Sequence, residues 1–249
     1  HVSSRRQRQM CIRDSISTMI FNKNSVIDGL IIPVFKPLNW TSFDVVKKLR
    51  NDFKKAFKLK KIKVGHAGTL DPLATGLLLV CTGKSTKIIE KLQNLEKTYL
   101  ATFYFGKTTP SFDMETDFDK SFPIDHISEN LIIETLKYFT GNIQQKPPIY
   151  SALKFKGTRM YEIARKGENI DIDFRNVTIH EFKMLNNNFP EFDFKIKCSK
   201  GTYIRSLAND FGKKIKSGAY LKYLERYSIG KYTLKDSYTI ESISKSIVK

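Results

Sequence analysis

The sequence lacks any apolar run long enough to cross a membrane, and it holds few cysteines and histidines. The longest apolar run near its middle covers residues 77–81, whereas a spanning helix needs roughly 20 apolar residues. The three cysteines are far apart and form no CxxC pair, and the four histidines are scattered, so no zinc-binding spacing is present. We therefore expect a protein of the reduced, cytoplasmic compartment, with no membrane segment and no metal site.

Acidic residues are also scarce compared with basic ones. The 249 residues include 43 lysines and arginines against 25 aspartates and glutamates, a formal net charge of +18. This surplus favours a polyanionic partner, because each neutralised phosphate releases counterions; the alternative is a general surplus that serves solubility. It is densest in the basic run, residues 47–63, where nine basic residues accompany the single acid Asp52. We predict that the basic run follows a phosphate backbone; the alternative is a solvated helix face.

The first 18 residues differ in composition from the rest of the chain. They contain four arginines, although lysine dominates elsewhere, and they show no hydrophobic period and no apolar core of a signal peptide. We predict that residues 1–18 are a non-native or disordered tail. Residues 19–249 contain no linker or repeat and are expected to form a single domain.

Short strands and helices alternate from there on. Apolar residues recur at helical spacing after Ser42, which is expected to cap that helix. The pattern predicts strands at residues 30–35, 77–81, 99–105 and 192–198, and helices at residues 42–57, 88–95, 128–139 and 204–211. The elements follow one another without regular βαβ spacing. We therefore predict a mixed α/β (α+β) fold with a largely antiparallel mixed sheet flanked by helices.

One segment has a composition that excludes a regular helix or strand. Residues 64–76, VGHAGTLDPLATG, hold three glycines and a proline, so a tight loop is expected, with Asp71 at its centre. The buried strand that follows would hold this loop rigidly. The alternative is that Asp71, which precedes Pro72, only caps a turn.

The sequence around Asp71 resembles the signature of the TruB family, the bacterial tRNA pseudouridine-55 synthases. The resemblance covers most of the chain, from about Gly29 to Ile229. Further matches occur in the family's order: Lys36-Pro37 with Thr41-Ser42, Lys97-Thr98-Tyr99, Gly106 to Asp113, the YSALK stretch 150–154, Tyr161-Glu162 with Ala164-Arg165, and the CSKGTYIR turn 198–205.

The chain departs from the family pattern at a few positions. Phe35 stands where an aspartate often precedes Lys-Pro, Asn39 replaces a glycine, and Ala67 replaces a commoner threonine. None of these changes removes a reacting group. No separate C-terminal RNA-binding domain is expected, so residues 19–249 would be the catalytic domain of a pseudouridine-synthase-type fold.

The resemblance implies an isomerase that converts uridine 55 in the T-loop of tRNA to pseudouridine without any cofactor. The target base must be flipped out of its stack before the enzyme can reach it. Asp71 would attack or stabilise C1′, and Arg205 would keep that carboxylate charged and aimed. Tyr99 would lie against the flipped base and is a candidate for proton removal.

The resemblance also implies a set of substrate-binding residues, each of which has an ordinary structural alternative. His66 would hold the extruded nucleotide, Tyr203 would lie near the base, and Lys87 would contact a phosphate. The remaining members are Leu224 in the wall of the site, and Asp113 and Lys36 from their motifs.

The partner implied is tRNA, bound through its T-arm stem-loop by a monomer. Two alternatives stay open. One is a guide-RNA-dependent synthase of the dyskerin type, and the other is a tRNA-binding chaperone without catalysis. Activity on tRNA without a guide separates the first alternative from the main hypothesis, and loss of function on removal of Asp71 separates the second.

Overall fold

A computed structural model of the protein describes residues 20–151, 153–168 and 171–248. The tail predicted at residues 1–18, and Ala152 in the 150–154 motif, lie outside the described residues. The described chain forms two compact units: the first holds the residues up to Lys97 together with those from Glu225 onward, and the second holds Thr98–Leu224. The single domain expected for residues 19–249 stays a prediction. No helix within the described ranges is long and apolar enough to span a membrane.

The first unit is built around strand β3. Along the chain its elements are α1 Lys23–Asp28, β1 Ile31–Lys36, α2 Ser42–Ala56, β2 Val64–Ala67, β3 Thr75–Thr82, a 3₁₀ turn Gly83–Ile88, α3 Ile89–Gln93, the second half of β12 Ala219–Ile229, β13 Tyr232–Thr233, a 3₁₀ turn Leu234–Asp236 and α7 Ile240–Lys245.

All eight residues of β3 are buried, because its alternating side chains enter two apolar clusters, Leu78 and Val80 one of them and Leu77, Leu79 and Cys81 the other. Other strands pair with both of its edges. On one edge β1 runs antiparallel to it, from the pair Ile31↔Cys81 to the pair Lys36↔Gly76. On the other edge β2 pairs antiparallel with the end of β3. The start of β3 pairs there in parallel with β12, through Arg226↔Gly76. The loop that connects β2 to β3 therefore ends next to β12.

Helix α2 covers this sheet with an apolar face, as its spacing predicts. Val45, Leu49 and Phe53 are fully buried in one cluster with residues of β1 and β3. The N-cap, however, is Thr41 and not Ser42. The Thr41 hydroxyl accepts a hydrogen bond from the Asp44 amide and the Asp44 carboxylate accepts one from the Thr41 amide, which completes a capping box. Ser42 is thereby left available for another contact.

The helix predicted at residues 88–95 is shorter in the structure. A 3₁₀ turn runs to Ile88 and only Ile89–Gln93 is α-helical. The Lys97 ammonium donates to the carbonyls of Gln93 and Leu95, which closes the helix just before β4 begins. This lysine therefore binds the carbonyl of the last residue of the helix, Gln93, and the Leu95 carbonyl just beyond it.

The second unit contains a further set of strands. Its elements are β4 Lys97–Phe105, β5 Lys107–Thr108, β6 Lys120–Ser121, α4 Glu129–Tyr138, β7 Gly141–Gln145, β8 Lys154–Phe155, β9 Thr158–Arg159, α5 Met160–Arg165, β10 Arg175–Asn188, β11 Glu191–Cys198, α6 Ile204–Lys214 and the first half of β12.

The strand order within this unit is β12-β4-β11-β10-β7, and β10 runs antiparallel to both β11 and β7. Strand β11 alternates between half-buried and buried residues, as predicted. Its inward rings pack with those of β4 and α6; the centroids of Phe103 and Phe194 lie 4.8 Å apart and those of Phe103 and Phe211 lie 6.2 Å apart. The predicted fold class, mixed α/β with a largely antiparallel sheet, is confirmed.

Candidate active site

The Asp71 loop, residues 68–74, connects β2 to β3 in the first unit. The loop predicted for residues 64–76 is shorter in the structure, because both of its ends join the sheet. At one of them, Gly76 has a φ of 106° and lies against β12 so closely that a Cβ would be 2.5 Å from the Arg226 carbonyl oxygen. Only glycine fits this approach. Asp71 itself is half-buried.

The residues next to Asp71 are held by the first residue of α2 and by the segment just before that helix. The Ser42 hydroxyl accepts a hydrogen bond from the Leu70 amide at 2.8 Å and donates one to the Leu70 carbonyl at 3.2 Å. On the other side of Asp71, the Asn39 amide donates to the Pro72 carbonyl at 2.9 Å. The backbone on both sides of the carboxylate is therefore bound to one neighbouring segment.

Lys36 reaches the same loop from the end of β1. Its side chain is fully buried and its Nζ donates to the carbonyls of Trp40 at 2.7 Å, Pro37 at 2.9 Å and Pro72 at 3.4 Å. Burial lowers the pKa of Lys36 to about 8, although the negative charge of Asp71 acts to raise it. The predicted substrate contact of Lys36 stays a prediction, whereas its observed contacts are with the backbone beside Asp71.

Arg226, on β12, is a residue of this site that the sequence analysis missed. It is 1 % exposed. Its Nε donates to the Leu77 carbonyl at 2.8 Å, its Nη2 to Gly68 at 3.0 Å and its Nη1 to Thr69 at 3.3 Å. The available signal was its spacing from Leu224, because residues two apart on a strand share a face.

His66 lies on β2, just before the loop, and is half-buried. Burial lowers the pKa of His66, and the charge of Arg226 lowers it further, while a hydrogen bond to the Gly68 backbone acts to raise it. The net direction is downward from 6.5, so the imidazole is mostly neutral at pH 7. The predicted role of His66, which is to hold the extruded nucleotide, stays a prediction.

The basic run and Lys87 are also in the first unit. Two members of the run have internal partners: Arg50 donates to the Val64 carbonyl at 2.8 Å, and Lys48 lies 2.6 Å from the Asp52 carboxylate. The exposed members that remain are Lys47, Lys55, Lys58, Lys60, Lys61 and Lys63, and Lys87 is exposed in the 3₁₀ turn Gly83–Ile88. These lysines are accessible to an anionic partner.

In the second unit, Arg205 lies in the first turn of α6 and is 3 % exposed. Its Nε lies 3.6 Å from Oδ2 of Asp113, and its Nη1 donates to the Ser111 carbonyl at 3.4 Å. Oδ1 of Asp113 accepts a hydrogen bond from the Glu115 amide at 2.9 Å. Asp113 is therefore a buried ion-pair partner of Arg205, and its predicted contact with substrate stays a prediction.

The segment before α6 is held by Gln145, a buried residue at the end of β7. The Tyr203 amide donates to the Gln145 side-chain oxygen at 2.8 Å, and the Gln145 side-chain nitrogen donates to the Tyr203 carbonyl at 3.0 Å. The backbone of Tyr203 is fixed in this way and its side chain is half-buried. Tyr99 on β4 and Leu224 on β12 are 9 % and 8 % exposed.

The predicted site residues thus divide between the two units. Asp71, His66, Lys36 and Lys87 belong to the first unit; Tyr99, Asp113, Tyr203, Arg205 and Leu224 belong to the second. The pairing of Arg205 with Asp71 stays a prediction. In the part of the chain that the structure describes, no three acidic, histidine or cysteine side chains are grouped so that they could hold a metal ion.

Comparison with known proteins places the chain among RNA-modifying enzymes. The model of a family described as "TruB family pseudouridylate synthase (N terminal domain)" matches residues 54–204. The tRNA pseudouridine synthase B of Flavobacterium johnsoniae is 54 % identical over 222 residues, which cover 89 % of this chain and 97 % of that protein. The protein of the same name from Clostridium kluyveri is 42 % identical over 224 residues, 90 % of this chain and 75 % of that one.

Two solved structures contain chains that are similar to most of this chain. The "Crystal Structure of a Cbf5-Nop10-Gar1 Complex" contains a chain that is 25 % identical, with a TM-score of 0.64 over 89 % of this chain and 60 % of that one. The "Structure of H/ACA RNP bound to a substrate RNA containing 2'-deoxyuridine" contains a chain that is 22 % identical, with a TM-score of 0.64 over 93 % of this chain and 59 % of that one. The second of these shows a shared fold.

Proposed function

This chain belongs to the TruB family of pseudouridylate synthases, and we propose that its own substrate is uridine 55 in the T-loop of tRNA. The enzyme is an isomerase and its partner is RNA. The relatives that are 42 % and 54 % identical are named for tRNA, which supports tRNA as the substrate here. The observation that carries the proposal is the Asp71 loop, whose backbone is held by hydrogen bonds on both sides of the carboxylate.

The reaction breaks the N1–C1′ bond, rotates the base and forms a C5–C1′ bond. The hydrogen on C5 leaves as a proton and N1 gains one, so the product is an isomer and no oxidant or reductant is needed. In this proposal, Asp71 attacks or stabilises C1′ while the base turns, and Tyr99 assists the removal of the proton from C5. Fixed geometry matters because the carboxylate must meet C1′ at bonding distance.

The surroundings of Asp71 support this role. The ammonium of Lys36 is buried beside the loop, and its positive charge interacts favourably with the Asp71 carboxylate. Arg205 is proposed to add a second cation by pairing with Asp71, in keeping with the family resemblance. The neutral imidazole of His66 is proposed to hold the extruded nucleotide.

RNA binding is proposed to use the exposed lysines of the basic run. Lys55, Lys58, Lys60 and Lys61 are exposed, and each can contact a phosphate as a point charge. We propose that the protein binds the T-arm stem-loop as a monomer. An isolated T-arm stem-loop should then be modified nearly as well as whole tRNA, and strict dependence on full-length tRNA would contradict this part of the proposal.

The Asp71→Asn substitution tests the proposed function. It preserves the size of the side chain and removes its charge and nucleophilicity, so folding and tRNA binding should persist. Pseudouridine formation under single-turnover conditions should fall by at least about a thousandfold, or ~4 kcal/mol of transition-state stabilisation. Primer extension after carbodiimide treatment locates the modified base, and filter binding measures the affinity.

Two results of that experiment would contradict the proposal. An asparagine variant that converts uridine within about tenfold of wild type would show that Asp71 does not carry the reaction. A wild-type protein that modifies a position other than uridine 55 would refute the substrate. Asp52→Asn is a suitable control because this carboxylate lies on α2 and pairs with Lys48 instead of belonging to the Asp71 loop.

A guide-RNA-dependent synthase of the dyskerin type is the second candidate, favoured by the structural similarity to the chain in the Cbf5-Nop10-Gar1 complex. The two candidates differ in what they require. Conversion of tRNA by the purified protein, with no guide RNA added, supports the first candidate; conversion only when a guide RNA is supplied supports the second.

A further inference from the structure

Arg226 is a buried cation in a position where a strand ordinarily carries an apolar residue. It lies on the inward face of β12, is 1 % exposed, and no carboxylate of the described chain lies within ion-pair distance of its guanidinium. Burying a charge in this way is costly unless its hydrogen bonds are satisfied. The contacts that satisfy Arg226 therefore indicate why an arginine is placed here.

All of those contacts are with the backbone of one short segment. Nη2 and Nη1 donate to the successive carbonyls of Gly68 and Thr69, and Nε donates to the Leu77 carbonyl. These acceptors lie at the beginning of the Asp71 loop and just after its end. One planar side chain therefore joins the two ends of the loop that carries the carboxylate.

The backbone of β12 holds the same place. Arg226 pairs with Gly76 in the parallel ladder between β12 and β3, and the two backbones approach closely enough that a Cβ on Gly76 would clash with Arg226. The side chain and the main chain of Arg226 thus both contact the residues that follow the end of the loop. Lysine could not reproduce the side-chain contacts, because its ammonium lacks the planar fork with donors pointing in three fixed directions.

We propose that Arg226 is a positioning residue, which sets the place of the Asp71 carboxylate by tying Gly68, Thr69 and Leu77 into one frame. It does not touch the substrate and acts through Asp71. The proposal rests on the proposed role of Asp71 as the reacting group. A displacement of the reacting group by about 1 Å can cost roughly a hundredfold in rate, which sets the size of the expected effect.

Arg226→Lys tests the proposal, with Arg226→Gln as a second variant that carries no buried charge. Amide hydrogen exchange of residues 68–74 should become about tenfold faster in both variants. The single-turnover rate of pseudouridine formation should fall about a hundredfold, while the Kd for tRNA stays within about threefold. Exchange that is unchanged in the loop, or a rate within about threefold of wild type, would overturn the proposal.

Ile243→Ala is the matched control for a loss of stability alone. Ile243 is fully buried in the core of the same unit, on α7, and its apolar side chain makes no hydrogen bond to the Asp71 loop. This variant should lower Tm while leaving loop exchange and the single-turnover rate unchanged at a temperature where it is folded. If Ile243→Ala lowers the single-turnover rate as much as Arg226→Lys does for the same decrease in Tm, the role of Arg226 is merely structural.

The double variant Asp71→Asn/Arg226→Lys shows whether the effect passes through Asp71. It should be no slower than Asp71→Asn alone, within about threefold, because a residue that positions Asp71 has nothing left to position. If the fold-losses in rate of the two single variants multiply in the double variant, the proposal is overturned. Failure of the proposed function is seen separately, since Asp71→Asn would then keep the wild-type rate, whereas the exchange measurement requires no activity.

Discussion

Two parts of the molecule bury a positively charged side chain in different ways. In the first unit, Lys36 and Arg226 donate to backbone carbonyls around the Asp71 loop. In the second unit, Arg205 lies 3.6 Å from the carboxylate of Asp113. The first arrangement shapes a loop and keeps its positive charge beside it; the second neutralises the charge and holds a side chain in place. The two should therefore respond differently when a charge is removed.

The largest effect is expected from Asp113→Asn. This change keeps the size of the side chain but removes one negative charge from beside the buried Arg205 guanidinium. Removal of one partner of a buried ion pair typically costs about 3–5 kcal/mol of the free energy of unfolding. Urea denaturation measures this decrease. A change below about 1 kcal/mol would show that the pair behaves like an exposed one.

The second effect in size is expected from Arg205→Lys. Lysine keeps the charge but has no planar pair of donors, so it cannot align with a carboxylate in the same way. If Arg205 pairs with Asp71, we expect the single-turnover rate to fall about a hundredfold with little change in RNA affinity. Lys213→Arg, an exposed change on the same helix, is the control. Near-wild-type turnover of Arg205→Lys would refute the pairing.

The free-energy cost of burying the Lys36 cation should be visible in the pH dependence of the free energy of unfolding. The pKa of Lys36 is lowered by burial from 10.5 to about 8, so below pH 8 both the folded and the unfolded chain carry this proton and the burial cost is fully present. Between pH 8 and 10.5 the unfolded chain binds the proton more tightly, so the free energy of unfolding should rise with pH.

The measurement for Lys36 is the difference in unfolding free energy between wild type and Lys36→Met, followed by urea denaturation from about pH 7 to about pH 10.5. Taking the difference removes the titration of the other lysines and tyrosines. It should grow in favour of wild type as pH rises through about 8. A difference that is flat with pH would mean that Lys36 is not buried as a cation.

The smallest effect is expected from the surface. Replacing Lys60 and Lys61 by glutamine should weaken RNA binding by a few-fold and reduce the slope of log Kd against log salt by about 0.7 to 0.9 for each phosphate that is no longer neutralised. Filter binding at several salt concentrations measures this slope. Catalysis by the bound complex should not change. An unaltered slope would make this part of the basic run a solvated surface that does not contact phosphates.

Much of the fold could be predicted from apolar spacing alone. Helix α2 and strand β11 have the predicted spacing of apolar residues because a hydrophobic core covers one face of each element. The apolar side chains therefore mark the covered face. The helix predicted at 88–95 was wrong in length, since a lysine ammonium bound to two carbonyls ends it. The N-cap was predicted one residue too late, at Ser42 instead of Thr41. Either of two adjacent hydroxyl side chains can cap a helix, and the sequence does not distinguish them.

The sequence by itself determined the family, through motifs that match over most of the chain, and it determined that Asp71 lies in a loop, because the three glycines and the proline of residues 64–76 exclude a regular helix or strand. What the tertiary structure decided is how that loop is held. Arg226 is 158 residues from Gly68 in the chain, and Lys36 is 36 residues from Pro72. Both bind carbonyl oxygens, which every residue possesses, so no pattern of side chains marks the acceptors. Such contacts exist only once strands distant in the chain have paired.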